Sequence, residues 1–175
     1  MASTPDPPFQ ARERRFWRVL APLWADRPLS REGAARHGGR WNPKGTPALY
    51  LSAELTTAVA EYEQDIGIRP GTFRAYNVNV DRILDLTSAD VLASLGLDPA
   101  ERYAPWNIML LVERREPPRW RIAETLIGLG CNGVLVPSIK VAEGTNLVLW
   151  RRNDSVDRTV VALDPQTDLP RDQSS

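Results

Sequence analysis

Hydrophobic and polar positions change period several times along this chain, and each change marks an element. In "RRFWRVL", residues 14 to 20, Phe16 and Arg18 fall on one side and Trp17 and Val19 on the other, which predicts a first strand. "TPALYLS" predicts a short strand bounded by Pro47 and Ser52. Beyond it Leu55, Ala58, Val59, Tyr62 and Ile66 recur at helical spacing, with Ser52 as the expected cap, Glu54 favourable in the first turn and Gly67 as the stop. "TFRAYNVNV" alternates and "RILDL" is apolar, so two further strands are expected. "SADVLASLG" predicts a short helix capped by Ser88 and stopped by Gly96, and "RWRIAETLIGLG" a longer one ending at glycines. "GVLVPS", broken at Pro137, then "NLVLWRR" and "TVVAL" supply the last strands, while residues 99 to 118 mix helical and extended signals.

Several of these strands are joined by links too short for a parallel crossover. The fold class expected is therefore α+β, a mixed domain of bent, largely antiparallel sheets with flanking helices. A doubly wound nucleotide fold is disfavoured, because no G-x-G-x-x-G follows a strand and no G-x-x-x-x-G-K-[ST] occurs. "GLGCNG" follows a helix and precedes a strand, the wrong order for a phosphate loop, and reads as a helix stop with a tight turn. The Pro-rich, polar residues 1–12 read as a mobile arm, residues 13–162 as one domain and residues 163–175 as a mobile tail.

Composition narrows the chemistry. Lys+Arg and Asp+Glu are both 22, so the net charge is zero and a protein built mainly to hold nucleic acid is disfavoured. The single cysteine, Cys131, allows no internal disulfide. With one histidine, His37, a tetrahedral zinc site or a serine or cysteine triad is disfavoured, and the plain reading of His37 beside two glycines is structural or exposed. The absence of an apolar leader or of a run near the roughly 18 residues of a membrane span leads to the expectation of a soluble, cytoplasmic protein. What remains is chemistry done by Arg, Tyr, Glu and Ser.

The stretch "RHGGRWNPKGTPALYLSAELTTAVAEYEQ" concentrates those residues. Gly38 and Gly39 free the backbone beside Arg40, whose guanidinium can fork two hydrogen bonds onto phosphate or carboxylate, although a surface arginine after a turn looks the same. Tyr50 reads equally as a core residue or as a ring offered to a flat heterocycle. Periodicity turns Glu61 away from the centre of the predicted buried face, onto the side of Glu54 and Asp65, which is the pattern of a solvated face. Facing a cleft instead, its carboxylate could hold a ribose hydroxyl or stabilise an oxocarbenium-like centre. Ser138 sits at a strand end and Arg18 on the first strand, as a second phosphate arginine or part of an exposed basic cluster. Together they match what cleavage of a dinucleotide needs, with no metal.

"GGRWNPKGTPALYLS", "AVAEYE" and "GVLVPS…NLVL" resemble the RES-domain toxins of RES–Xre type II toxin–antitoxin pairs, over roughly residues 14 to 152. The resemblance implies the fold of diphtheria-toxin-type ADP-ribosyltransferases. It implies consumption of NAD by hydrolysis, by phosphorolysis or by ADP-ribosylation of a protein, in one branch the phosphoribosyl pyrophosphate synthetase, with growth arrest as the outcome. It places Glu61, Arg40 and Tyr50 as catalytic, and Arg18, Arg40, Tyr50 and Ser138 against NAD. The implied partner is an Xre-like antitoxin covering the site, with no membrane and no direct nucleic-acid contact. The rival expectation is a RES-like interaction module without catalysis.

Overall fold

The computed structural model describes residues 6–63, 69–103, 108–109 and 112–169. Six strands are present among them: β1 (Gln10–Leu20), β2 (Leu49–Ser52), β3 (Thr72–Asp85), β4 (Gly133–Pro137), β5 (Thr145–Leu149) and β6 (Arg158–Ala162). They run in the order β1-β2-β5-β4-β3-β6, and β1 also pairs with β3. The first five strands thus close into a ring, with β6 carried on β3. Closure gives each of β1 to β5 two strand neighbours within the ring and leaves β6 as the edge among the described residues. Every pairing is antiparallel except β3 with β4, whose connection is long enough to carry two helices. The expected bent, largely antiparallel α+β arrangement is the one observed.

The two strands expected at "TFRAYNVNV" and "RILDL" are one continuous β3. Asp81 and Arg82 interrupt the alternation without ending the ladder. Arg82 takes a left-handed conformation (φ 51), and its guanidinium donates to the carbonyls of Gly130 and Leu129 at 2.8 and 2.9 Å. The kink changes the strand's neighbour. Tyr76–Val80 pairs with β6, whereas Ile83–Asp85 pairs with β4.

Among the described residues, four α-helices have defined bounds: α1 (Glu32–His37), α2 (Leu55–Tyr62), α3 (Ala89–Ser94) and α4 (Pro118–Gly128). Ser88 caps α3 by accepting from the Val91 N–H, as expected. Ser52 does not cap α2. The Ncap is Glu54, and Ser52 closes β2 opposite Asn146, to which its hydroxyl donates at 2.7 Å. Cross-strand pairing thus takes the hydroxyl that the helix was expected to use. The remainder of that expected helix, with Asp65, Ile66 and Gly67, lies outside the described residues.

Described residues of the expected arm and tail are held by the fold. β1 begins at Gln10, anchored by Arg12 on Asp85 (3.3 Å), and Phe9 lies under Arg82 at 4.0 Å. At the other end, the Leu163 carbonyl accepts from Arg74, and Asp164 accepts from the N–H groups of Asp168 and Leu169. Polar composition concealed both sets of anchors.

Two apolar clusters lie on the two faces of the strands. One is enclosed by the ring and includes Phe16, Leu49, Leu51, Tyr76, Leu147 and Leu149. The other, under α3 and α4, includes Trp41, Leu92, Leu126, Val134, Val148 and Trp150.

Candidate active site

The site grows out of the period-two alternation of β2 and β5. Leu49 and Leu51 pair with Leu149 and Leu147 on the enclosed face. The intervening residues, Tyr50 opposite Val148 and Ser52 opposite Asn146, emerge on the other face and line a cavity of about 310 Å³. Arg18, Arg40 and Glu61 line it as well.

Glu61 is where the structure departs most from the periodicity argument. The buried residues of α2 are Thr57 and Ala58, one turn before Glu61 and on its side, while Leu55 is 38 % exposed. The helix is therefore rotated relative to the face its apolar residues suggested, and Glu61 looks toward the sheet. The reason is polar. Glu61 Oε1 accepts from Ser138 Oγ and from Asn146 Nδ2, both at 2.7 Å. Ser138 Oγ also accepts from the N–H groups of Lys140 and Val141 at 3.1 Å, so its single proton is directed onto the carboxylate. The Ser52 hydroxyl donating to Asn146 Oδ1 fixes that amide with its NH2 toward Glu61. The line Ser52–Asn146–Glu61–Ser138 joins β2, β5, α2 and the end of β4.

Tyr50 is held just as firmly. Its hydroxyl accepts from the Trp41 N–H at 2.9 Å and donates to Asn42 Oδ1 at 2.6 Å. Asn42 is fully buried, and its amide donates to the carbonyls of Ala34, Pro43 and Thr46. Burial pushes the ionisation of Tyr50 well above the ordinary tyrosine range, against the Trp41 N–H and the charges of Arg40 and Arg119, which pull it down. The phenol therefore stays neutral, and its hydroxyl is engaged with the loop.

That loop presents Arg40. Indole N–H groups hold its backbone, Trp120 donating to the Gly39 carbonyl at 2.8 Å and Trp150 to that of Trp41 at 3.0 Å. Gly39 is required here, since a Cβ would come within 2.6 Å of both the Tyr50 hydroxyl and Asn42 Oδ1. Gly38 at φ 74 turns the chain out of α1. Arg18 lies opposite Arg74 in the β1–β3 pairing and donates to the Ser30 carbonyl at 3.4 Å. Burial lowers its pKa, and neighbouring Tyr76 partly offsets this.

Four of the five expected residues, Arg18, Arg40, Tyr50 and Glu61, thus share one cavity, and Ser138 stands behind Glu61. Sequence reasoning missed Asn42 and Asn146 and read Ser52 as a helix cap. An asparagine inside an apolar strand was the available signal, because strands are depleted in it. His37 is exposed at the end of α1 and does not line the cavity. Cys131 is buried with its thiol pushed up to about 11 by that burial, so it is no thiolate nucleophile at neutral pH. Among the described residues, no group of three His, Cys, Asp or Glu side chains converges, and no helix is long and apolar enough to cross a membrane.

The family model for the RES domain matches residues 15–172. The chain belongs to the RES domain family. This RES chain is 27% identical over 159 residues to "Toxin Res" of Yersinia enterocolitica, covering 85% of the chain and 88% of that protein. It is 33% identical over 86 residues to "NAD(+) phosphorylase MbcT" of Mycobacterium tuberculosis, a match of 43% of the chain and 46% of that protein. The RES fold extends further than that local match. The crystal structure of the M. tuberculosis MbcT–MbcA toxin–antitoxin complex superposes with a TM-score of 0.59 at 24% identity, covering 90% of this chain and 87% of that one. The two proteins share a fold.

Proposed function

We propose that this RES-domain protein is the toxin of a toxin–antitoxin pair and that it consumes cytoplasmic NAD by breaking the nicotinamide–ribose bond. The observation that carries this reading is the carboxylate of Glu61, fixed through one oxygen by Ser138 and Asn146 on the wall of a cavity that also presents Arg18, Arg40 and Tyr50.

The chemistry follows from those groups. When the C–N bond of an N-ribosyl pyridinium breaks, the bonding pair leaves with nicotinamide, which departs neutral. No general acid is needed, in keeping with a cavity that holds no histidine. The positive charge appears on the ribose as an oxocarbenium ion, and a preorganised carboxylate stabilises it in a low-dielectric cleft. Glu61 supplies that carboxylate. Its Oε1 is anchored, and Oε2, which takes no bond from the described residues, serves the ribose hydroxyls. Tyr50, with its hydroxyl occupied, contributes its ring face to nicotinamide rather than a proton. Arg40 and Arg18 hold the pyrophosphate, and Ser138 orients Glu61.

The ADP-ribosyl cation is then captured by inorganic phosphate, by water or by a protein side chain, the phosphoribosyl pyrophosphate synthetase among the candidates. The NAD phosphorylase named among the relatives favours phosphate. An Xre-like antitoxin would neutralise the protein by covering the cavity; the structural relative was itself solved in complex with an antitoxin.

The test is nicotinamide release from NAD by the purified protein, with and without inorganic phosphate. Release from the wild type and a loss on the order of 10²–10³-fold in Glu61→Ala are expected. Arg40→Ala should lose release through weaker binding of NAD. Unchanged release in both variants would sink the reading. Labelled NAD with cell extract separates the acceptors: label on one protein band means transfer, a phosphorylated ADP-ribose means phosphorolysis, and free ADP-ribose means hydrolysis.

A further inference from the structure

A second arginine lies behind Arg40, and the proposed chemistry has not used it. Arg119 sits in the first turn of α4 and is 1 % exposed, yet its Nε and Nη1 are buried without a hydrogen-bond partner. Buried Nε of Arg40 is likewise unpartnered. Among the described residues, neither guanidinium forms an ion pair. The two are held close by shared neighbours. Arg119 stands over the Trp41 ring at 5.8 Å from its centroid, and Trp120, the next residue, bonds the Gly39 carbonyl. Arg40 is the residue between Gly39 and Trp41.

Such a pair is unfavourable as it stands. Burial and, after it, the neighbouring charge of Arg40 lower the pKa of Arg119 to about 10, so Arg119 is still protonated at neutral pH and is repelled by Arg40. The ring of Trp41 offsets only part of the desolvation of Arg119. Tyr50 cannot relieve it, because its phenol is neutral and its hydroxyl donates to Asn42 Oδ1. The missing component is an anion, and the first turn of a helix adds to the attraction for one.

We propose that Arg40 and Arg119 together form a phosphoryl-anion site, with Arg40 contacting the anion at the cavity wall and Arg119 supplying a second, buried positive charge from one layer behind. A charge enclosed by protein is weakly screened, so Arg119 acts on the anion without having to reach it. The anion is either the diphosphate of the dinucleotide or a free inorganic phosphate, which present the same chemistry. The inference rests on the reading that Arg40 faces substrate phosphate, but it concerns equilibrium binding and can be tested without turnover.

The experiment measures binding of inorganic phosphate, pyrophosphate and ADP-ribose by calorimetry, together with the melting temperature at matched ionic strength in chloride. Wild type, Arg119→Met, Arg119→Gln and Arg119→Lys are compared. The wild type should bind at least one of these anions. The two neutral variants should bind it at least tenfold more weakly, and Arg119→Lys should stay within a few-fold of wild type. In chloride alone Arg119→Met should melt no lower than wild type, since an unpaired buried cation has been replaced by an apolar chain of similar length. Arg119→Gln provides the comparison if the Met variant does not fold. Protection by inorganic phosphate identifies the free anion as the source, and protection only by pyrophosphate and ADP-ribose identifies the dinucleotide. Neutral variants that bind as tightly as wild type, or a wild type that binds none of the three, overturn the proposal. Nicotinamide release is measured separately. Release without an effect of Arg119 on anion affinity removes this inference and leaves the NAD reading intact, and the reverse result removes only that reading.

Discussion

Alternate residues of β2 and β5 turn the two faces of this strand pair to opposite purposes. The enclosed face, with Leu49, Leu51, Leu147 and Leu149, is apolar and essentially without solvent contact. The other carries Tyr50, Ser52 and Asn146, each with its polar atoms assigned to a named partner. Stability and chemistry are thus one residue apart along each strand. A change on one face should therefore move one observable and spare the other.

Two substitutions with the largest expected effects break the comparison most sharply. Glu61→Gln should cut nicotinamide release by about 10²–10³-fold while shifting the free energy of unfolding by less than about 1.5 kcal/mol, since the amide oxygen can still accept from Ser138 and Asn146. Leu149→Ala, at a fully buried position, should lose about 2–5 kcal/mol in urea denaturation, while the molecules that stay folded keep their activity. If both variants lose both properties, the two faces are not separable. Ser52→Ala sharpens the picture at an intermediate level. It leaves Asn146 Oδ1 without its donor, costs about 1–3 kcal/mol and reduces release less than Glu61→Gln does, because the amide becomes free to flip. Ser52→Thr, which keeps the hydroxyl, should recover most of that activity.

The smallest effect is on pH dependence. Burial raises the pKa of Tyr50 in the folded state, so in the unfolded chain the phenol ionises first, near pH 10. Its contribution to stability is fully present below about pH 10 and is lost as the pH rises toward the folded value. Tyr50→Phe should lose about 1 kcal/mol at neutral pH and show a shallower decline above pH 10. Tyr76 and Cys131, whose ionisations burial also raises, keep the rest of the slope. An alkaline profile identical to wild type would mean that Tyr50 is not enclosed as described.

Strand positions were legible in the sequence because alternation is a local property, and β1, β2, β4, β5 and β6 lie where it predicted. Ring closure was not, because it depends on the β1–β3 pairing between segments about sixty residues apart. The merging of "TFRAYNVNV" with "RILDL" was hidden for a related reason, since Arg82 is locked by carbonyls that follow α4. At the site, the residue types could be read but not their geometry. Arg40 beside two glycines and Tyr50 on a strand were visible as candidates. Glu61 was misoriented, because a helix of only eight residues has no strong apolar stripe and its rotation is set by two polar partners far along the chain. Arg119 gave no signal, as nothing in "PPRWRIAE" marks a cation that will be buried without a partner.

The clamp on Glu61 has a temporal side. Ser138 lies 77 residues after the carboxylate it holds, and Asn146 lies 85 residues after it. At a synthesis rate of 5–20 residues per second, that separation takes on the order of ten seconds to translate. A nascent chain displaying Arg40, Tyr50 and Glu61 therefore has no fixed carboxylate until Ser138 and Asn146 have also been made. The ribosome thus holds the site unassembled for the whole of that interval.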